Sequence, residues 1–107
     1  MSKSAVTRLE IKGELSIFTA AGLREQMLEA LAAGTEVEVD LSGVSEIDSA
    51  GLQLMVAAKR EAAVRAQNLH FIGHSAAVFD ALELSRLSGQ LGDPLLIDPA
   101  QVTRKTP

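Results

Sequence analysis

The sequence contains no cysteine, no tryptophan and no tyrosine, and three phenylalanines are its only aromatic residues. The absence of cysteine excludes disulfides, thiolate nucleophiles and cysteine-ligated zinc. The scarcity of aromatic rings argues against a site that stacks bases or sugars. Because 47% of the 107 residues are hydrophobic, the chain can still bury one core. We expect a single domain over residues 1–107, with its core in residues 7–97 and a mobile tail at 98–107.

Basic clusters and long apolar runs are missing as well. The formal net charge is −4, and the first 48 residues hold nine acidic against four basic side chains. Without a basic stripe, nucleic acid is a poor partner, whereas an acidic face weakly favours a basic protein and is equally compatible with a merely soluble surface. No apolar run is long enough for a bilayer, and the first residues lack the apolar stretch of a signal peptide. We therefore expect a cytoplasmic protein without direct membrane insertion.

Signatures of catalysis are also lacking. The glycine-rich phosphate-binding motifs are absent, and Ser49 is not in a G-x-S-x-G setting. His70 and His74 flank a short apolar segment but have no cysteine or third ligand nearby, so a metal site is improbable. A Ser–His–acid triad assembles in space and not in sequence, so the rival class is an enzyme or a small-ligand carrier that uses the edge with Asp48 and Ser49. We expect no enzymatic activity, no cofactor and no metal.

Apolar periodicity predicts alternating strands and helices. Period-two patterns predict strands at residues 7–12, 15–18, 36–41, 69–72 and 95–97, the first two forming a hairpin around Gly13 and Glu14. Helical patterns cover residues 20–33, 50–67 and 76–84, and a short final turn follows around residues 87–92. Thr19 and Ser75 are candidate N-caps, and Gly34 ends the first helix.

This order of elements predicts an α/β domain. We expect a mixed sheet of four or five strands packed with three to four helices. The residues predicted to be buried are the apolar positions of the three helices: Leu23, Met27, Leu31, Leu52, Met55, Val56, Val78, Phe79 and Leu82. Loops that lead from a strand into a helix lie along one sheet edge, where binding sites usually form.

The segment from Asp48 to Leu52, D-S-A-G-L, connects a strand to the second helix. We predict that Ser49 caps this helix, and that Ala50 and Gly51 leave its first turn bare. A bare first turn could admit another protein's surface or an anionic group close to the backbone. Simple helix capping is the alternative interpretation of the same residues.

Together, this junction and the order of elements resemble the STAS domain, the fold of anti-sigma-factor antagonists and of sulfate-transporter tails. The resemblance covers residues 7–97. It includes the turn Gly13-Glu14-Leu15, the third-strand segment Val39–Val44, and Ile47–Leu52. Leu82-Glu83-Leu84 with Leu87 is similar to the family's C-terminal helix and turn.

The resemblance implies a non-enzymatic module that binds a regulatory partner. The implied partner-binding residues lie at two sites, the helix start with Asp48, Ser49, Ala50 and Gly51, and the first turn with Gly13, Glu14 and Ser16. Antagonists carry a phosphorylated hydroxyl where this chain has Ala50, which leaves Ser49 as the candidate phosphorylation site. Some members carry an acidic residue where this chain has Ser16, a second departure from the pattern.

Three kinds of partner fit the resemblance. The leading one is an anti-sigma factor or a similar serine kinase. The alternatives are the ATPase of a phospholipid-transport ABC system, because its small STAS subunits share the D-[ST]-A-G form, and a chemotaxis component. In each case the start of the second helix would contact an ATP-using protein.

Overall fold

Three strands and three helices alternate along the computed structural model, which describes residues 6–34 and 36–85. The elements are β1 (Val6–Leu15), α1 (Ala20–Ala33), β2 (Glu36–Ile47), α2 (Ser49–Val64), β3 (Asn68–Ile72) and α3 (Ala76–Ser85). This alternation confirms the predicted α/β class. The predicted strand at 95–97, the turn at 87–92 and the tail at 98–107 lie outside the described residues.

The sheet has three strands in the order β1-β2-β3 within the described residues, and both pairings are parallel. The prediction of an opening hairpin is wrong, since residues 6–15 form one strand and residues 16–19 form the turn into α1. The described strands are thus one or two fewer than expected, and all are parallel where a mixed sheet was expected. Because parallel strands end at the same edge, the loops after β1, β2 and β3 share that edge.

Gly13 is a bend within β1 and not a turn between two strands. Its φ of +86° is a left-handed conformation that favours glycine. The pairing of β1 with β2 slips twice, between Glu10 and Lys12 and between Gly13 and Glu14, and each slip gives β2 one residue more than β1. Such bulges re-aim side chains near the end of a strand. Here they precede the region that carries the predicted site.

The helix predictions agree closely with the structure. α1 covers the predicted residues, and α3 extends one residue beyond its prediction, with the Ser75 hydroxyl accepting the Val78 N–H at 3.2 Å. α2 ends at Val64 and not near residue 67, because Ala66 adopts a left-handed conformation with φ of +56°. Thr19 occupies the N-cap position of α1, but its side chain makes no capping hydrogen bond.

The core lies between the sheet and the helices. It combines apolar residues of all six elements, among which Leu15, Val37, Val39, Leu41, Met55, Val78 and Leu82 are completely inaccessible. Six of the nine residues predicted to be buried are buried. The other three, Leu23, Leu52 and Phe79, are only partly buried. In α3, the buried positions are Val78 and Leu82, on either side of Phe79 in sequence.

The alternate positions of the strands carry charged side chains. Arg8 forms ion pairs with Glu38 at 3.4 Å and with Asp40 at 3.0 Å. Glu36 lies 3.9 Å from the imidazole of His70 on β3. Exposed pairs of this kind contribute little to stability. These carboxylates therefore belong to the charged face of the sheet.

Candidate functional site

The two predicted parts of the site meet at the carboxyl edge of the sheet. Leu15 at the end of β1 pairs with Ile47 at the end of β2, so the loops that follow are neighbours. The backbone N–H of Asp48 donates to the carbonyl oxygen of Leu15 at 3.3 Å. The turn before α1 and the first turn of α2 therefore form one continuous surface.

Asp48, and not Ser49, caps α2. Its Oδ1 accepts the N–H of Gly51 at 3.0 Å, while its Oδ2 accepts the N–H of Ile17 at 3.1 Å. The first bond satisfies an N–H that has no partner inside the helix. The second joins the helix to the turn after β1, so one carboxylate fixes both loops. Asp48 and Ser49 are adjacent in the sequence and both are common capping residues, so the prediction that Ser49 is the cap is wrong.

These hydrogen bonds favour the ionised form of Asp48. The N–H of Ile17, followed by that of Gly51, lowers the pKa of the Asp48 carboxyl below its ordinary value of 3.8. The start of a helix also favours a negative charge through its dipole. Asp48 is therefore a carboxylate at neutral pH, held by backbone donors.

Ser49 is the first residue of α2 and is exposed to solvent. Because Asp48 provides the cap, the Ser49 hydroxyl is not needed for it. Among residues 6–34 and 36–85, that hydroxyl takes part in no hydrogen bond. Ala50 beside it is half-buried. Ser49 thus presents an available hydroxyl on a rigid backbone.

Gly51 is buried and contacts the protein's own backbone. A Cβ at this position would lie 2.9 Å from the carbonyl carbon of Leu15 and 3.0 Å from Cγ1 of Ile47, and it would overlap the carbonyl oxygen of Leu15. The expectation that Gly51 opens the helix to an outside partner is therefore wrong. Its absent side chain lets α2 begin directly against the end of β1.

Hydrogen bonds fix the turn between β1 and α1. Ser16 is buried, and its Oγ donates to Oε1 of Glu14 at 2.8 Å and accepts the N–H of Phe18 at 3.2 Å. Oγ1 of Thr19 donates to the carbonyl oxygen of Glu14 at 3.0 Å and accepts the N–H of Ser16 at 3.0 Å. Of the predicted residues in this turn, Gly13 and Glu14 are exposed, whereas Ser16 serves the turn internally.

Three candidate residues at this edge were not predicted from the sequence. Ile17 and Phe18 sit at the tip of this turn with 68% and 89% of their surface exposed. Their apolar character indicated a buried strand, and no signal in the sequence separates such a strand from an exposed turn. Glu46 was also missed, although it pairs with Glu14 across the two strands.

Within residues 6–34 and 36–85, no group of three or more His, Cys, Asp or Glu side chains could hold a metal ion. His74 is buried two residues after the end of β3, and His70 lies on the charged face of the sheet beside Glu36. Among the described residues, no hydrogen bond joins Ser49 to either histidine. In the same part of the chain, no helix is long and apolar enough to span a membrane.

Comparison with known proteins identifies the fold. The family model described as "Mlab, STAS domain" matches residues 2–103. An anti-sigma factor antagonist from Mycobacterium paratuberculosis is similar in structure, with a TM-score of 0.74, 20% identity, and coverage of 94% of this chain and 84% of that chain. No curated protein is significantly similar in sequence.

Two structures of SpoIIAA show the same likeness. The anti-sigma factor antagonist SpoIIAA in its unphosphorylated form has a TM-score of 0.67 at 22% identity, covering 88% of this chain and 84% of that chain. The Bacillus cell fate determinant SpoIIAA in the phosphorylated form has a TM-score of 0.62 at 21% identity, covering 88% and 86%. At such identities the likeness concerns the fold.

Proposed function

Since this chain belongs to the STAS domain family, we propose that it regulates an ATP-using or kinase-type protein by binding it through the start of α2. The family model and the antagonist-like fold support a regulatory module. The proposed module catalyses no reaction itself. It acts in the cytoplasm, where its partner has access to ATP.

The observation that carries this proposal is the state of Ser49. Its hydroxyl is exposed, has no structural task and stands on a backbone that Asp48 holds at both loops. A surface fixed in this way loses little conformational entropy when a partner binds. The patch formed by Asp48, Ser49 and Ala50, with exposed Glu14 beside it, is suited to hydrogen-bond a basic or polar loop of that partner.

The leading version of the proposal is an antagonist whose binding is switched by a kinase. Ala50 has no hydroxyl, so phosphorylation would have to use Ser49. A phosphate there would add about −1.5 to −2 charges at a helix N-terminus. The helix dipole favours that charge, and the neighbouring carboxylate of Asp48 opposes it. We therefore propose that phosphorylation changes partner affinity more than it changes domain stability.

The second version is an adaptor that needs no phosphorylation, as in a phospholipid-transport ABC system or beside chemotaxis proteins. One feature favours it specifically. Ala50 removes the hydroxyl that antagonists modify, while the exposed hydroxyl of Ser49 remains available as a simple contact. The docking surface is the same in both versions, which differ only in whether Ser49 is phosphorylated.

Affinity isolation from the source cells tests the proposed function. The baits are the full chain, Ser49→Trp, and Ser85→Trp as a control that adds the same bulk at an exposed serine on α3. We expect the wild type and Ser85→Trp to recover an ATP-binding protein, identified by mass spectrometry, that Ser49→Trp does not recover. Recovery of that protein by all three baits would contradict docking at Ser49.

Incubation of the recovered partner with ATP and the full chain distinguishes the two versions. The antagonist version predicts that intact-mass analysis shows one added phosphate, which peptide mapping assigns to Ser49. The adaptor version predicts an unchanged mass. A phosphate on another serine, with Ser49 unmodified, would contradict the antagonist version.

A further inference from the structure

We propose that Ile17 and Phe18 anchor the partner in an apolar pocket whose rim is basic. The surface concerned, here called the anchor patch, consists of Ile17, Phe18, Glu14 and Glu46. The proposal rests on the proposed function, because the same partner would cover Ser49 and the anchor patch together. It adds the chemistry by which that partner is recognised.

The exposure of Ile17 and Phe18 is built into the turn. The N–H of Ile17 is held by Oδ2 of Asp48, and the N–H of Phe18 is held by Oγ of Ser16. The carbonyl oxygen of Ser16 accepts the N–H groups of Thr19 at 3.0 Å and Ala20 at 2.8 Å. With these groups engaged, the backbone of the turn cannot rotate to bring the two apolar side chains inward without breaking hydrogen bonds.

Scattered exposed apolar residues are ordinary, but two large ones on a fixed turn beside a polar site are typical of an interaction surface. Val64 and Leu84 are comparably exposed, at 82% and 86%, and among the described residues each stands singly, near the ends of α2 and α3. Ile17 and Phe18 differ because they are adjacent and share an edge with Ser49. Aromatic anchors at the centre of an interface commonly carry much of its binding energy.

The charge around this turn specifies the rim of the partner's pocket. Glu14 and Glu46 are exposed cross-strand neighbours, and neither forms an ion pair within the described residues. Asp48 adds a third carboxylate at the same edge. The chain has no lysine or arginine from residue 13 to 23, nor from 25 to 58, and the neighbouring Lys12 lies 4.0 Å from Glu10. Lysine or arginine on the partner would complement them.

Alanine substitutions test the apolar half of the anchor patch. The partner recovered with the wild-type bait is titrated with Phe18→Ala and Ile17→Ala, and with Leu84→Ala and Val64→Ala as controls at other exposed apolar residues. We expect Phe18→Ala to weaken binding at least about tenfold and the controls to change it less than about twofold. Unchanged binding by Phe18→Ala, or equal losses in the controls, would overturn the proposal.

Charge removal tests the rim. The double variant Glu14→Gln/Glu46→Gln keeps an acceptor for the Ser16 hydroxyl and removes two charges, and Glu25→Gln/Glu83→Gln removes two exposed charges elsewhere. We expect only the first variant to weaken binding at low salt and to reduce its salt dependence. Tighter binding by the first variant would contradict the proposal that the rim of the partner's pocket is basic.

The outcomes separate this inference from the proposed function. If Ser49→Trp abolishes binding and Phe18→Ala does not, docking at α2 stands and the anchor patch fails. If Phe18→Ala abolishes binding to a protein that uses no ATP, the anchor patch stands and the proposed class of partner fails. Sedimentation equilibrium of the full chain tests whether a second copy of this chain covers the anchor patch instead. A dimer that dissociates in the Phe18→Ala variant would show that it does, and would overturn the inference.

Discussion

At the residue scale, Gly51 demonstrates how closely α2 is seated on β1. Alanine in a helix usually stabilises a protein by about 1 kcal/mol relative to glycine. At this position the added Cβ would overlap the carbonyl oxygen of Leu15, so we expect Gly51→Ala to lower the free energy of unfolding by about 1–3 kcal/mol. Urea unfolding followed by circular dichroism measures the change.

Gly22 is the matched control for that substitution. It lies in α1, is exposed, and a Cβ there would have no atom within 4 Å. Gly22→Ala should therefore raise the free energy of unfolding by about 0.5–1 kcal/mol. If the two substitutions shifted stability in the same direction, the close seating of α2 on β1 would be wrong.

Asp48 makes stability depend on pH. Its pKa is lowered in the folded protein by the N–H groups of Ile17 and Gly51, so the ionised carboxylate stabilises the fold. That contribution is fully present above the unfolded pKa of about 3.9 and is lost as the pH falls through the lower folded pKa. We expect the wild type to be more stable than Asp48→Asn at neutral pH, and the difference to shrink below about pH 4.

Urea unfolding of both proteins from pH 7 to pH 2 measures this difference. Glu25→Gln removes an exposed carboxylate from α1 and controls for the loss of a surface charge. A gap between the wild type and Asp48→Asn that widened on acidification would contradict the assigned role of Asp48. The amide exchange rate of Ile17 offers a second measurement, since it should rise in Asp48→Asn, where one oxygen acceptor is lost.

At the element scale, α3 packs on the core through one face, which carries its buried residues Val78 and Leu82. Leu82 is completely buried and Leu84 is 86% exposed on the same helix. We expect Leu82→Ala to lower the free energy of unfolding by about 2–5 kcal/mol, because it leaves a cavity in the core. Leu84→Ala should change it by less than about 0.5 kcal/mol. Thermal or urea unfolding of the pair checks this, and equal effects would refute the packing of α3.

The elements that the sequence predicts well are those with a long and regular apolar period. Both ends of α1 are predicted correctly, because its apolar stripe runs from Leu23 to Leu31 and Gly34 follows as the residue that ends the helix. β1 is predicted poorly because Gly13 followed by a polar residue is typical of a turn and also of a bulge. Only pairing with β2 distinguishes the two, and pairing between distant segments leaves no local signal.

The candidate site is predictable in place but less so in its details. Asp48 and Ser49 are both residue types that commonly cap helices. In the structure Asp48 is the cap, and its carboxylate also accepts the N–H of Ile17, a residue 31 positions earlier in the sequence. No local pattern indicates that second hydrogen bond. The small size of Gly51 is visible in the sequence, but the carbonyl that requires it belongs to Leu15 on another strand. The exposure of Phe18 follows from hydrogen bonds within the turn and not from residue type.

At the scale of the whole molecule, the parallel sheet gathers its loops at one edge. Three features lie together at this edge: the carboxylates of Glu14 and Glu46 near the ends of β1 and β2, the apolar pair Ile17 and Phe18 in the turn after β1, and the hydroxyl of Ser49 at the start of α2. The Asp48 carboxylate accepts hydrogen bonds from the turn after β1 and from the first turn of α2, and so fixes the two segments relative to each other. We propose that this edge is the surface on which the partner docks.

The most direct test of this account is the affinity of the purified partner for Ser49→Trp, measured by titration calorimetry beside the wild type and Ser85→Trp. Because the added indole would stand outside the core, we expect the fold to survive, with circular dichroism unchanged. We predict that Ser49→Trp weakens binding at least about tenfold while Ser85→Trp binds like the wild type. A folded Ser49→Trp variant that binds the partner with wild-type affinity would contradict the claim that the start of α2 is the docking surface.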